Sequence, residues 1–227
     1  MEMKKYIFII FSVYALASES SDYQVTLYDI PMANVKIEYT DTILNNIKAI
    51  ELNFSTETNN FTSQLFKIDN TYRTIINEDT MDILYFEKST YQPNVTNKIQ
   101  TINQKDEIVY KNTDILIPKK HFNIFSLLYY LENTPFEMIE NEINLEREGL
   151  IYQCIIDKKI NGSLSKFILI FNLIESTRSP VVEKSDIFTW ALFKENSKKH
   201  IIVDHSKRKI IKCVFSQTFS TVKAEIK

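Results

Sequence analysis

Asn123-Ile-Phe-Ser-Leu-Leu-Tyr-Tyr-Leu-Glu-Asn-Thr-Pro135 is the one stretch of the chain that reads as a helix, and everything around it reads as strand. Ile124, Leu127, Leu128 and Leu131 recur at helical spacing. Asn123 can cap the N-terminus, and Pro135 forces Thr134 into an extended conformation that ends the helix. The segment is apolar nearly all round, which predicts a plug packed against a curved sheet rather than a surface helix. It falls short of the about 20 apolar residues that cross a bilayer.

Downstream, Asn161-Gly162 between residues 150–159 and 164–173 has the composition of a tight hairpin. Residues 167–171 are consecutively apolar, which predicts a central strand buried on both faces and covered by the helix. Residues 187–193, 201–203, 209–215 and 221–226 complete an antiparallel series. Upstream, residues 22–41 read as a strand, a bend at Pro31 and a second strand. Alternation continues over residues 50–54 and 61–68, with shorter strands at 72–76, 83–86, 98–102 and 107–111. Glycine occurs only at Gly149 and Gly162, so Asn45-Asn46, Asn59-Asn60 and Asp69-Asn70 are expected to supply turns. Glu137, Glu140, Glu142, Glu146 and Glu148 mark residues 135–148 as a solvated connection or edge strand, without the ligand spacing of a calcium loop. The fold expected is mainly β: an antiparallel curved sheet or barrel-like meander with one short central helix, a single domain over residues 18–227.

The N-terminus reads as an export signal. Lys4 and Lys5 precede an apolar run from Tyr6 to Tyr14, and Ala15-Leu16-Ala17 supplies the small residues of a cleavage site before Ser18. Residues 1–17 are therefore expected to be a signal peptide, leaving no stable membrane anchor after cleavage and a periplasmic or extracellular protein. In that oxidising setting Cys154 and Cys213, the only two cysteines, are either a disulfide or two buried thiols inside apolar strands. At 227 residues, 44% hydrophobic and with a formal charge of -2, the chain can bury a real core and has no basic excess to attract nucleic acid.

Over most of residues 22–216 the chain resembles an exported bacterial family known as domain-of-unknown-function family 3108. That family carries an Asp-x-Leu-Ser-x-Leu-Tyr-Tyr-Leu-Arg type of segment, which residues 123–132 follow closely, with Asn123, Phe125 and Glu132 departing from it. Residues 69–91 and 107–112 resemble the family's strand pairs before the helix, and Phe188-Thr189-Trp190 resembles the start of its late tryptophan strand. A proline later in that strand and glycines in the first hairpin and near the end are absent, which makes the chain a divergent member. The resemblance implies an antiparallel, curved or barrel-like sheet with one helix, and no activity.

Little chemistry is marked. Two isolated glycines exclude phosphate-binding loops, dinucleotide motifs and a nucleophile elbow. His121 reads as a capping-region residue. His200 and His205 lie five apart and would fall on opposite faces of a strand, so metal binding is not expected. No catalytic, cofactor or metal site is assigned. Lys194, Lys198, Lys199, Lys207, Arg208 and Lys209 read as a solvated rim or a basic lip for anionic lipid or an acidic partner, and Tyr129, Tyr130 and Trp190 as core residues with polar tips. The function expected is that of a non-enzymatic envelope protein holding a lipid-like or other apolar ligand in a β-sheet cavity. The alternative is a structural or protein-interaction module of the envelope with a packed core.

Overall fold

The computed structural model describes residues 18–174, 180–194, 197–217 and 220–227 and joins the strands among them into one fourteen-stranded sheet. The expected signal peptide, residues 1–17, lies outside the described residues. The first half is a meander of β1 (Ser18–Leu27), β2 (Ile30–Leu44), β3 (Ile47–Thr58), β4 (Asp69–Asn77), β5 (Ile83–Gln92), β6 (Val95–Asn103), β7 (Glu107–Tyr110) and β8 (Leu116–Pro118). Helix α1 (Ile124–Asn133) follows, then β9 (Glu142–Arg147), β10 (Leu150–Asn161), β11 (Leu164–Leu173), helix α2 (Ile187–Phe193), β12 (Lys198–Asp204), β13 (Lys209–Gln217) and β14 (Ser220–Ile226).

Every paired strand is antiparallel to its neighbour, and β1 pairs with β14, so β8 and β9 are left at the two ends of the sheet. Those ends are drawn together. Phe122, just after β8, bridges Leu145 of β9 in parallel: its amide donates to the Asn144 carbonyl at 3.0 Å and its carbonyl accepts from the Glu146 amide at 2.7 Å. The sheet is thereby nearly closed into a barrel-like shell, which covers the exposed edges that an open sheet would present.

Asparagine and aspartate take the place of glycine in several turns. Tyr28 and Asp29 (φ 51° and 63°) link β1 to β2, and Asn45 and Asn46 (φ 51° and 64°) link β2 to β3, each as a two-residue loop with both residues left-handed. Pro31 is therefore not the bend itself; it sits in β2 beside a bulge where Val25 pairs with Ala33 and Thr26 with Pro31. Between β10 and β11, Asn161 pairs with Leu164, so the loop residues are Gly162 and Ser163, one position later than the Asn-Gly reading. Gly162 takes the left-handed position at φ 62°.

Helix α1 forms as its sequence dictates. The Asn123 side chain accepts from the Ser126 amide at 2.9 Å while the Ser126 hydroxyl accepts from the Asn123 amide at 3.0 Å, a reciprocal capping box. Thr134 is extended at φ -87° and ψ 135° ahead of Pro135. Leu127 and Leu131 are completely buried, and Phe125 lies among the rings of Phe54, Tyr72, Phe86 and Phe188. The helix packs against β3, β4, β9, β12 and β13.

Four expectations give way. Residues 187–193 form a second helix, not a strand: Asp186 caps it by accepting from the Thr189 amide at 3.0 Å, and Ile187, Phe188, Ala191 and Leu192 recur on one face. Residues 61–68 hold a 3₁₀ turn at Thr62–Gln64, started by the Asn59 side chain accepting from the Thr62 amide at 2.8 Å. Asp69 and Asn70 open β4, where the buried Asn70 side chain accepts from the Tyr91 amide at 3.1 Å. Strand β11 is buried on one face only, with Phe167 and Leu169 inside and Ile170 51% exposed.

Candidate functional site

Sheet and helices do not fill the interior evenly. Between the inner faces of β1, β2, β3, β13 and β14 and the two helices lies a cavity of about 230 Å³. Its walls include Tyr23, Ile37 and Phe54 from the sheet, Leu128 from α1 and Phe188 and Leu192 from α2, and no charged side chain lines it among the described residues. Val25, Leu27, Phe66, Ile68 and Val222 on its rim are half-buried and Ile187 is exposed, so the cavity opens toward solvent at that end. A void of ~150 Å³ already accepts benzene, and drug-sized ligands start at ~300 Å³. The space therefore suits a small apolar molecule or one end of an acyl chain.

A second interior region, beneath β4, β5 and β9, is polar and closed. Lys88 of β5 is fully buried and contacts two carboxylates, Glu148 Oε1 and Asp186 Oδ2, the latter at 2.6 Å. Asp186 is itself fully buried; its Oδ1 accepts from the Tyr72 hydroxyl at 2.8 Å and from the Thr189 amide at 3.0 Å, and its Oδ2 accepts from the Thr189 hydroxyl. Burial by itself would push the Asp186 carboxyl up, but Lys88 and the two Thr189 donors outweigh it and hold it below the ordinary aspartate value. Glu148 reaches the cluster from the two-residue loop between β9 and β10, where it is left-handed at φ 51° beside Gly149 at φ 91°. A Cβ on Gly149 would come within 3.1 Å of the Ile115 side chain, and at φ 91° any other residue there is strained. Glu148 Oε2 accepts from the Ser185 hydroxyl and lies 3.5 Å from Arg147 Nε. Next to it Glu146, also buried, accepts from the Tyr110 hydroxyl at 2.8 Å; desolvation and then the Glu148 charge push its carboxyl up to about 7 against the opposing hydrogen bonds. The free space here is about 20 Å³, room for a single water.

The comparisons with known proteins bear on the fold. No protein-family model matches the sequence, and no curated protein matches it either. The fold has a solved counterpart. The chain is similar to a β-barrel-like protein of domain of unknown function DUF1849 from Brucella abortus, with a TM-score of 0.51 over 92% of this chain and 95% of that one at 8% sequence identity. At that identity the likeness shows the barrel-like fold alone. The neighbour carries a different family designation from 3108, so what is shared is the architecture of a domain of unknown function.

The residues singled out in the sequence are dispersed. Cys154 and Cys213 are both free and buried, on β10 and β13 with β11 and β12 between them, so the disulfide is not formed. Desolvation pushes both thiols up to about 12, which leaves them inert. His121 precedes the α1 cap and is half-buried, and the His205 ring stands edge-on to Phe136 and Phe167. Of the six basic residues Lys194, Lys198, Lys207 and Arg208 are exposed, as a solvated rim requires, and Lys199 is not. Lys199 is buried, donating to the Ser197 carbonyl at 3.0 Å over the Phe171 ring, and desolvation brings its ammonium down to about 8. Lys209 pairs with Glu19 and Lys207 with Asp204. Tyr130 is buried, but Trp190 is 49% exposed with Lys194 over its ring. Glu146 and Glu148, expected in solvent, are the most buried members of their acidic row together with neighbouring Glu132, whose carboxylate accepts from the Tyr39 hydroxyl at 2.7 Å and the Ile210 amide at 2.9 Å. Lys88 and Asp186 carried no signal in sequence, apart from Asp186 standing three residues before Thr189 as a cap would.

Proposed function

We propose that the protein is an exported, non-enzymatic envelope protein that holds a small apolar ligand, or the end of a lipid acyl chain, in the cavity between its sheet and two helices. The observation that carries this is the chemistry of the cavity: about 230 Å³ walled by side chains that offer no charge, next to a mouth of half-buried apolar residues. Interiors otherwise pack to crystal-like density, so a void of this size costs stability unless something occupies it. The polar cluster does not support catalysis on an outside substrate, because its free space admits only a water. Native mass spectrometry with solvent extraction of protein purified from its own envelope tests the reading. A small apolar adduct is expected, and protein that is empty in every preparation overturns it.

A second reading, an interaction module, is favoured by one observation. Phe61 and Leu65 are 72% and 81% exposed on the loop that also supplies Thr62 and Phe66 to the cavity wall. Replacing both by serine should abolish in situ crosslinking to an envelope partner and leave ligand occupancy unchanged. Crosslinking that persists removes this reading.

A further inference from the structure

The closed polar cluster is a better candidate for chemistry within the chain than for chemistry on a ligand. The Lys88 amine touches both the Asp186 carboxyl group and the Glu148 carboxylate there, all three at most 2% exposed, and Tyr72, whose hydroxyl donates to Asp186, packs its ring against Phe125 and Phe188. We propose that Lys88 and Asp186 condense into an intramolecular isopeptide bond, with Glu148 as the proton relay.

The geometry supplies each part. Lys88 Nζ sits 2.6 Å from Asp186 Oδ2, so the amine is already placed beside the carboxyl carbon it must attack, the arrangement that converts an unfavourable encounter into an intramolecular step. Asp186 Oδ1, on the other side of that carbon, accepts from the Tyr72 hydroxyl at 2.8 Å and the Thr189 amide at 3.0 Å, two donors aimed where negative charge develops. Glu148 touches the same Nζ and is held by Ser185, which fixes it as a base toward the amine. Its left-handed backbone is an unusual conformation for glutamate, and it turns the side chain from the sheet end into the interior.

The atoms balance without a co-reactant. The Lys88 ammonium passes one proton to Asp186 Oδ2, which it already contacts, so that a neutral amine attacks a neutral carboxyl at Cγ to form the C–N bond, and Glu148 then takes a second proton from Nζ. The tetrahedral oxyanion at Oδ1 collapses, the C–Oδ2 bond breaks, and Oδ2 leaves as water. Of the three ammonium protons one stays on the amide and two depart with that water, one of them delivered by Glu148, which ends unchanged. No redox change occurs. The product ties β5 to the start of α2, elements about a hundred positions apart in sequence.

Mass spectrometry of the folded full-length protein tests this. The expected result is a mass lower than that of the linear chain by one water, about 18 Da, and a proteolytic fragment joining the peptides of Lys88 and Asp186. Folded wild-type protein at the unmodified mass, with the two peptides separate, overturns the proposal, and this reading stands whether or not any variant folds. Glu148→Gln is expected to fold, by circular dichroism, and to stay at the unmodified mass; a full crosslink in it overturns the relay. Asp186→Asn is expected to give the same joined fragment with loss of ammonia instead of water, a signature that a merely ionic cluster would not produce.

Discussion

The two parts of the interior follow opposite rules. Beneath β1–β3, β13 and β14 the chain leaves about 230 Å³ unfilled and lines it with apolar groups. Beneath β4, β5 and β9 it leaves space for one water and crowds in Lys88, Glu146, Glu148 and Asp186. A dry apolar void costs packing energy in proportion to its size and can recover it from a ligand. Buried charge costs desolvation energy and can recover it only from fixed partners, which is why every carboxylate of the cluster has named donors. The place able to change its contents is therefore the apolar one, while the polar one is locked by its own residues.

The comparison breaks most readily at Lys88. Lys88→Met should leave Glu148 and Asp186 buried with no amine between them, able to form neither the ion pairs nor the crosslink, and cost at least about 3 kcal/mol of stability, read from the urea midpoint. A loss under about 1 kcal/mol would mean that the cluster is not locked.

Glu146 sharpens it through pH. Its carboxyl titrates near 7 in the fold because burial raises it, against about 4.3 unfolded. Below about pH 4 both states are protonated and the group is neutral to stability. As pH rises from about 4 to about 7 the unfolded chain ionises first, so the group subtracts progressively and then levels off at about 4 kcal/mol. Glu146→Gln keeps a partner for Tyr110 and should remove that decline, gaining on the wild type between about pH 4 and pH 8. Parallel stability curves for the two proteins would contradict it.

On the apolar side Ala33, buried on the cavity wall, offers the converse change. Ala33→Leu should enter empty space and shift stability by less than about 1 kcal/mol, where the same enlargement in a filled core costs about 1–3 kcal/mol. Thermal unfolding distinguishes the two. The smallest effect is expected outside the shell: Ile170→Thr, on the exposed face of β11, should stay within about 0.5 kcal/mol, and a larger loss would restore the two-sided burial that the apolar run 167–171 suggests.

That run shows why some features were legible and others were not. The barrel-like antiparallel meander, α1 with its Asn123 cap and Pro135 stop, and the Asn45-Asn46 turn follow from local spacing and local backbone chemistry, which sequence displays directly. Ile168 and Ile170 are apolar yet face outward, because composition reports hydrophobicity and not direction. Helix α2 was hidden by its aromatic and β-branched content, although Asp186 and the Ile187-Ala191 spacing carried a helical signature. The polar cluster was invisible for a different reason. Lys88, Glu148 and Asp186 meet only where the nearly closed sheet brings β5, the β9–β10 loop and the start of α2 together, and no local pattern separates a lysine on an inward strand position from one in solvent. The cavity was inferred from fold class, while its location depended on where α2 lies.

Saturable binding of a fluorescent fatty acid such as cis-parinaric acid, by wild-type protein and by the Ala33→Leu, Ala224→Leu double variant, tests the ligand cavity most directly. Both alanines line the void. The account predicts one site in the wild type and at least about a tenfold weaker affinity in the filled variant, roughly 1.4 kcal/mol or more. No saturable binding, or equal binding by both proteins, would contradict it.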